Sequence, residues 1–318
     1  MMLFDRRSFF YVYDVSRESC DLLRSIPIQQ GLESDMAVQK WSEKKIEQLQ
    51  KEGRGQGQGA DYRPWLEAFD FSSSGHTRRI RSPKTGREHV LFSDIEYRFF
   101  LCAEWSRQVV DIREQFPLDR TLTQTIADQL GIRHPCYPNT HVPAVMTADF
   151  LLTLNRGDTT EEVAINLKPD GEAESQISLE KMELQRSYFE ELGVEHHLIL
   201  KSAIPANAAR NIEHIRMAQL REHEAEQWDG YYQELQAAMA SRLAAPSPRE
   251  QEQTAPRLAQ SFDELYGLEP GTGLRVLKML ICSRAIEVDL HCPDIMAEPW
   301  QKLIAPSEGP AEVPRRET

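Results

Sequence analysis

The chain has 318 residues, enough for one large or two medium domains whose apolar core needs no disulfides or metals to hold it. Its 40% hydrophobic and 27% charged residues are those of a soluble globular protein, and no apolar run approaches the roughly 18 residues a membrane span needs. The formal net charge of -13 excludes a free-standing DNA-coating protein, because phosphate contacts need clustered Lys and Arg; any such contact must be local.

At the start, MMLFDRRSFFYVYDV is broken by Asp5, Arg6, Arg7 and Asp14 and lacks a small-residue cleavage site, which argues against a signal peptide. Cys20, Cys102, Cys136, Cys282 and Cys292 are scattered without a CxxC pair. That pattern offers no zinc framework and suits a reducing compartment, so a cytoplasmic, nucleoid-associated protein is expected. Residues 1–35 have weak periodicity and read as an N-terminal extension. From Met36 the amphipathic run MAVQKWSEKKIEQLQKEG predicts a helix stopped at Gly53. The following GRGQGQGADYRPWL lacks the Lys-Ser or Lys-Thr of a P-loop and reads as a flexible or tightly turning segment.

Between Arg78 and Arg87 the chain reads RRIRSPKTGR, in which Arg78, Arg79, Arg81, Lys84 and Arg87 are accompanied by no acid. It fits a solvated charged turn and a phosphate-binding segment equally well. SDIEYRFFLCAEW then predicts a helix opening at Ser93, with Glu96 placed to complete a capping box. A short strand over VVDI, a loop containing Pro117 and a helix TLTQTIADQLGI ending at Gly131 follow. VMTADFLLTL and EVAINLK are strands joined by NRGDTTE, whose Asn, Gly and Asp suit a hairpin. A long helix SLEKMELQRSYFEEL ends at Gly193 before the strand HHLILK, which completes an α/β core.

Beyond it the texture changes. Asn211 to Leu243 is almost purely helical, APSPREQEQTAPRL is a polar break, and SFDELYGLEPGTGLRVLKMLICSRAIEVDL reads as helix, turn, helix and strand. A mostly helical, winged-helix-like module is expected over residues 206–305, after a catalytic domain over 36–205, with a disordered tail at 306–318.

In the strand Val163-Ala164-Ile165-Asn166-Leu167-Lys168, the period of two turns the apolar Val163, Ile165 and Leu167 one way and Asn166 and Lys168 the other. A lysine in an otherwise apolar strand is costly unless it is paired or serves a site. Asp149, on the preceding strand, can approach it across the hairpin. An acid followed one hairpin later by an x-Lys strand end is the pattern of restriction-type nucleases, and Glu96 would complete the set. Phosphodiester hydrolysis calls for this chemistry. Carboxylates hold Mg²⁺ or Mn²⁺, which polarises the phosphate and activates water, while a lysine stabilises the developing charge. The bland alternatives are a capping role for Glu96 and a cross-strand ion pair between Asp149 and Lys168.

KEGRGQGQGADYRPWL, RSPKTGREH, SDIE, VVDIREQFPL, GIRHP, VMTADFL, AINLKP and LEKMELQRSYF resemble, in this order, the successive signatures of the TnsA family, the endonuclease subunits of Tn-seven-like heteromeric transposases. The resemblance runs closely from residue 51 to about 212. It implies a restriction-endonuclease-like (PD-(D/E)xK type) fold in which Glu96, Asp149 and Lys168 match the catalytic acid, acid and lysine, with Mg²⁺ ions held by Glu96 and Asp149. Asn166 falls where such nucleases usually carry a second acid, and Gln185 stands where relatives carry Glu. Further implied are transposon-end DNA as substrate, cut at its 5′ ends, a TnsB-type transposase that cuts the 3′ ends, and a TnsC-type ATPase contacting the C-terminal region; no membrane is involved. Arg78 to Arg87 is then the candidate DNA-backbone contact. Two rival readings are a non-catalytic assembly subunit, suggested by the amides Asn166 and Gln185, and a stand-alone restriction or repair nuclease.

Overall fold

The protein is seen in a computed structural model that describes residues 41–67, 77–170, 176–218 and 230–304. The N-terminal extension, the tail and the first residues of the helix expected from Met36 lie outside these. The chain divides into two compact units, residues 1–204 and 205–318.

In the first unit, α1 (Glu43–Lys51) begins at the N-cap Ser42, whose side chain accepts the Lys45 N–H, and buries Ile46 and Leu49. The glycine-rich run behind it turns tightly. Gly55 and Gly57 both have positive φ, and a Cβ on Gly55 would lie 2.1 Å from Cγ of Pro117, so only glycine lets this loop close against the sheet. Trp65 N–H donates to the Gln115 carbonyl and the Tyr62 hydroxyl to that of Glu114, which seats the loop along β3.

β1 (Arg78–Arg81) and β2 (Glu88–Leu91) form an antiparallel hairpin. No strand was expected in RRIRSPKTGR. The alternation of β1 is hidden by charge, since Ile80 is buried between Arg79 and Arg81, which face outward. α2 (Asp94–Trp105) starts at Ser93 as predicted, because the Ser93 hydroxyl accepts the Glu96 N–H. It buries Phe99 to Ala103 and packs on the sheet, with the Phe99 ring 5.1 Å from that of Phe150.

The sheet has the order β3-β4-β5-β6, formed by Val109–Pro117, Thr147–Asn155, Thr160–Lys168 and Glu195–Leu200. β3 outruns the expected VVDI and carries Pro117 at its end, where a missing N–H costs no internal ladder bond. α3 (Arg120–Leu130) is capped by Asp119 and closed by Gly131 in the left-handed region. β3, β4 and β5 are antiparallel neighbours, and β5 reaches the parallel β6 through the crossover helix α4 (Gln176–Glu191). Leu184, Tyr188 and Phe189 of α4 join Ile126, Ala127, Ala148, Leu151 and Ala164 in one apolar cluster. Burying each large member contributes roughly 1.5–3 kcal/mol.

The second unit is helical over its described residues, with Ala206–Arg216, Tyr231–Ala244, Ala255–Tyr266 and Thr272–Cys282 as its main helices. Buried Asp263 accepts the N–H groups of Gly271 and Gly273 and so caps the last of these from its neighbour. The strand expected over AIEVDL does not form, and no strand occurs among the described residues of this unit. The reason is one turn and one long-range contact. Arg284 has a φ of 60°, and fully buried Asn211 donates to the Leu290 and Cys292 carbonyls while accepting the Ile295 N–H. The segment is therefore drawn into irregular structure around Asn211 rather than into a ladder, and the described residues hold no β wing.

Candidate active site

Asp149 lies where two strands part. The ladder between β4 and β5 runs from Asn155 opposite Thr160 to Phe150 opposite Ile165. Past that pair the next β5 donor is met by a side chain: Oδ2 of Asp149 accepts the Leu167 N–H at 2.6 Å. β5 meanwhile keeps its pairing with β6 to the end, Lys168 opposite Leu200. The carboxylate therefore sits in the splay between β4 and β5, next along the chain to Lys168.

Glu96 reaches the same place from the first turn of α2. Its Oε2 accepts the Phe92 N–H at 2.9 Å and its Oε1 the Ser93 hydroxyl at 3.0 Å. It thus caps the helix, and a carboxylate has lone pairs beyond these two bonds. The capping role and a site role are compatible.

The charges of these groups act on one another. Burial, then the charge of Asp149, raise the Glu96 pKa above the usual carboxylate range. Burial raises that of Asp149 against the opposing effects of the Leu167 amide and the Lys168 ammonium. Lys168 is half-buried, and among the described residues no carboxylate is within ion-pairing distance of it, so its pull on Asp149 acts without a closed pair. Burial raises both acids and the charge of Asp149 raises Glu96 further, a repulsion that a divalent cation held between them would remove.

Among the described residues no three His, Cys, Asp or Glu side chains gather into a metal cage. Glu96 and Asp149 offer two carboxylates, the type of oxygen donor that hard divalent cations take.

Four polar groups stand on the adjoining strands and on α4. Asn166 is buried, with its Oδ1 2.8 Å from Nε2 of His196. The His196 pKa is pushed down to about 4 by burial, then by His197 and Arg186, so the ring is neutral and its N–H donates to the amide oxygen. Gln185, on α4, donates to the Thr147 carbonyl at 2.9 Å and ties the helix to β4 two residues before Asp149. Gln115, in β3, has a φ of 48° and accepts the Thr147 hydroxyl, a strained backbone next to the site. Neither His196 nor Gln115 was expected. The neutral imidazole depends on burial, and nothing in HHLILK marks it.

The basic stretch is only partly available to a ligand. Arg79 and Arg81 are exposed, and Arg78 is partly so, paired with Asp94 and lying over the Tyr97 ring. Lys84 turns inward, its ammonium donating to the Ser106 and Val109 carbonyls. Arg87 makes a bidentate pair with buried Glu114, which His89 also contacts. These two cations hold the hairpin onto β3, so within the candidate backbone-contact stretch Arg79 and Arg81 are the exposed members.

Comparison with known proteins gives a consistent picture. Residues 106–201 match the family model of the TnsA-like endonuclease N terminal and residues 203–290 that of the TnsA endonuclease C terminal. The matched span includes Asp149 and Lys168 and begins after Glu96. The Transposon Tn7 transposition protein TnsA of Escherichia coli is 36% identical over 251 residues, covering 79% of this chain and 88% of that protein.

Proposed function

Because this chain belongs to the TnsA endonuclease family, we propose that it hydrolyses the phosphodiester bond at the 5′ ends of a transposon, as the endonuclease subunit of a heteromeric transposase. The observation that carries this reading is the meeting of Asp149, held by the Leu167 amide, with Glu96 from α2 and Lys168 from the end of β5.

Glu96 and Asp149 are the residues that would hold Mg²⁺, or Mn²⁺ in its place. A cation bound there would polarise the phosphate and lower the pKa of the attacking water. Lys168 brings an unpaired ammonium to the non-bridging oxygens as charge grows on them. Asn166, oriented by His196, supplies an amide where the family pattern has a second acid. DNA reaches this face by local contacts, with Arg79 and Arg81 gripping the backbone and Arg78 beside them.

The acidic chain works with partners: transposon-end DNA, a TnsB-type transposase that cuts the 3′ ends, and a TnsC-type ATPase bound through the helical second unit. Its setting is the cytoplasm, at the nucleoid during transposition. Among the described residues no helix is long and apolar enough to cross a membrane. The test is cleavage of a labelled transposon-end duplex by this protein with its TnsB-type partner. The proposal predicts 5′ nicks that need Mg²⁺ or Mn²⁺ and vanish with chelator. A second reading, an assembly subunit without activity, draws on the amides Asn166 and Gln185 and predicts 3′ cuts alone.

A further inference from the structure

The crossover helix α4 carries a lysine that the site described above does not use. α4 runs back along β5, from the end that holds Lys168 to the start of β6, where Glu195 stands opposite Val163. Lys181 lies about 15 Å up the helix from its last residue, at 1.5 Å per residue. Lys168 lies about 16 Å along β5 from Val163, at 3.3 Å per residue. The two lysines are therefore level along the βαβ unit. The helix face is fixed as well: Gln185, one turn on from Lys181 and on the same side, is bonded to Thr147 of β4, and Leu184 and Tyr188 are in the core below.

Lys181 keeps access to solvent, and among the described residues it has no acid partner. Its ammonium is less basic than an ordinary lysine, through crowding by neighbouring protein and then through the charge of Lys168. Two like charges level along the unit, with the Asp149 and Glu96 carboxylates already accepting backbone N–H groups, are arranged to take an anion between them. A nucleic-acid backbone has such anions at regular spacing, and a flexible ammonium serves as a point-charge grip on them.

We propose that Lys181 binds a DNA backbone phosphate adjacent to the one cleaved beside Lys168, and so sets the position of the strand in the site. This rests on the endonuclease reading above. The residue binds substrate and takes no part in proton transfer.

The test compares wild type, Lys181→Ala, Lys181→Arg and Asp149→Ala, each as full chain with the TnsB-type partner on a transposon-end duplex. Binding is followed between 50 and 300 mM salt and 5′ cleavage under single-turnover conditions. Lys181→Ala is expected to raise the half-saturating DNA concentration about tenfold and leave the rate at saturation within about threefold. It should also flatten the plot of log affinity against log salt by about 0.9, the loss of one phosphate contact. Lys181→Arg should restore both. Asp149→Ala should abolish cleavage and keep the wild-type salt slope. An unchanged slope in Lys181→Ala overturns the proposal, as does equal impairment of Ala and Arg variants. If wild type itself makes no 5′ cut, the endonuclease reading fails, and the salt slopes still decide whether Lys181 meets a phosphate.

Discussion

The Asp149 carboxylate takes the backbone N–H of Leu167 at 2.6 Å, so the acid of one strand closes the ladder of the next at the point where Lys168 follows. Structure and chemistry are joined in that bond. Asp149→Asn keeps an oxygen able to accept the N–H but removes the charge proposed to bind the metal. It should remain folded and lose cleavage by a hundredfold or more, within the range for removal of an essential electrostatic group. Asp149→Ala should also leave the Leu167 N–H without its acceptor, at a cost of about 1–3 kcal/mol. Urea unfolding of the two variants separates these effects.

Glu96 and Asp149 give the metal-free protein an unusual response to pH. Both pKa values are raised on folding, that of Glu96 to about 7, so the folded state holds protons that the unfolded state has released. Their contribution to stability therefore falls as pH rises from about 4, where free carboxylates titrate, to neutral pH. Mg²⁺ or Mn²⁺ should reverse this, since it replaces the protons. The melting temperature should rise on adding metal at pH 8 and scarcely move at pH 5, with the difference lost in Glu96→Gln. An equal rise at both pH values would mean that the ion binds elsewhere.

Glu114 behaves in the opposite sense. The Arg87 and His89 hydrogen bonds overcome its burial and hold its pKa at about 2. Its contribution is present above the ordinary carboxylate range and is lost as pH falls toward 2. Glu114→Ala would strand the Arg87 guanidinium inside the fold and should cost about 3–5 kcal/mol. Replacing exposed Glu88, which faces Arg79 at 3.4 Å, should change stability by about 1 kcal/mol or less. Chemical denaturation of both variants checks the contrast.

Gly55→Ala should destabilise the first unit without touching the acids. The new methyl group would meet Pro117 and the backbone would be held at a φ of 74°. A cost of about 1–3 kcal/mol is expected from the backbone alone. A melting temperature within 1 °C of wild type, on the roughly 2–4 °C per kcal/mol scale of such domains, would contradict the packing of this loop on β3.

Elements whose signal is local were legible in the sequence. Ser93 and Glu96 announced the start of α2, NRGDTTE the β4–β5 hairpin, and the Gly131 and Gly193 positions the ends of α3 and α4. The β1–β2 hairpin was hidden because the one buried residue of β1, Ile80, stands among arginines. AIEVDL has strand-forming residues, yet Asn211, far away in the chain, claims the backbone that follows. The inward turn of Lys84 and Arg87 depended on carbonyls and an acid of α2 and β3 that no local pattern reveals. Of the site, the Asp149 and Asn-Leu-Lys spacing was visible. The level of Lys181 with Lys168 needed the crossover, though the four-residue step from Lys181 to Gln185 already placed those two on one helix face.

The account turns on whether Glu96, Asp149 and Lys168 act together on one strand. The most direct measurement is strand-resolved mapping of cuts at a labelled transposon end, with the TnsB-type partner and Mg²⁺, for wild type, Glu96→Gln, Asp149→Asn and Lys168→Ala. The account predicts 5′ cuts by wild type alone, with 3′ cuts unchanged in all four. Wild-type levels of 5′ cutting by Asp149→Asn or Lys168→Ala would contradict it.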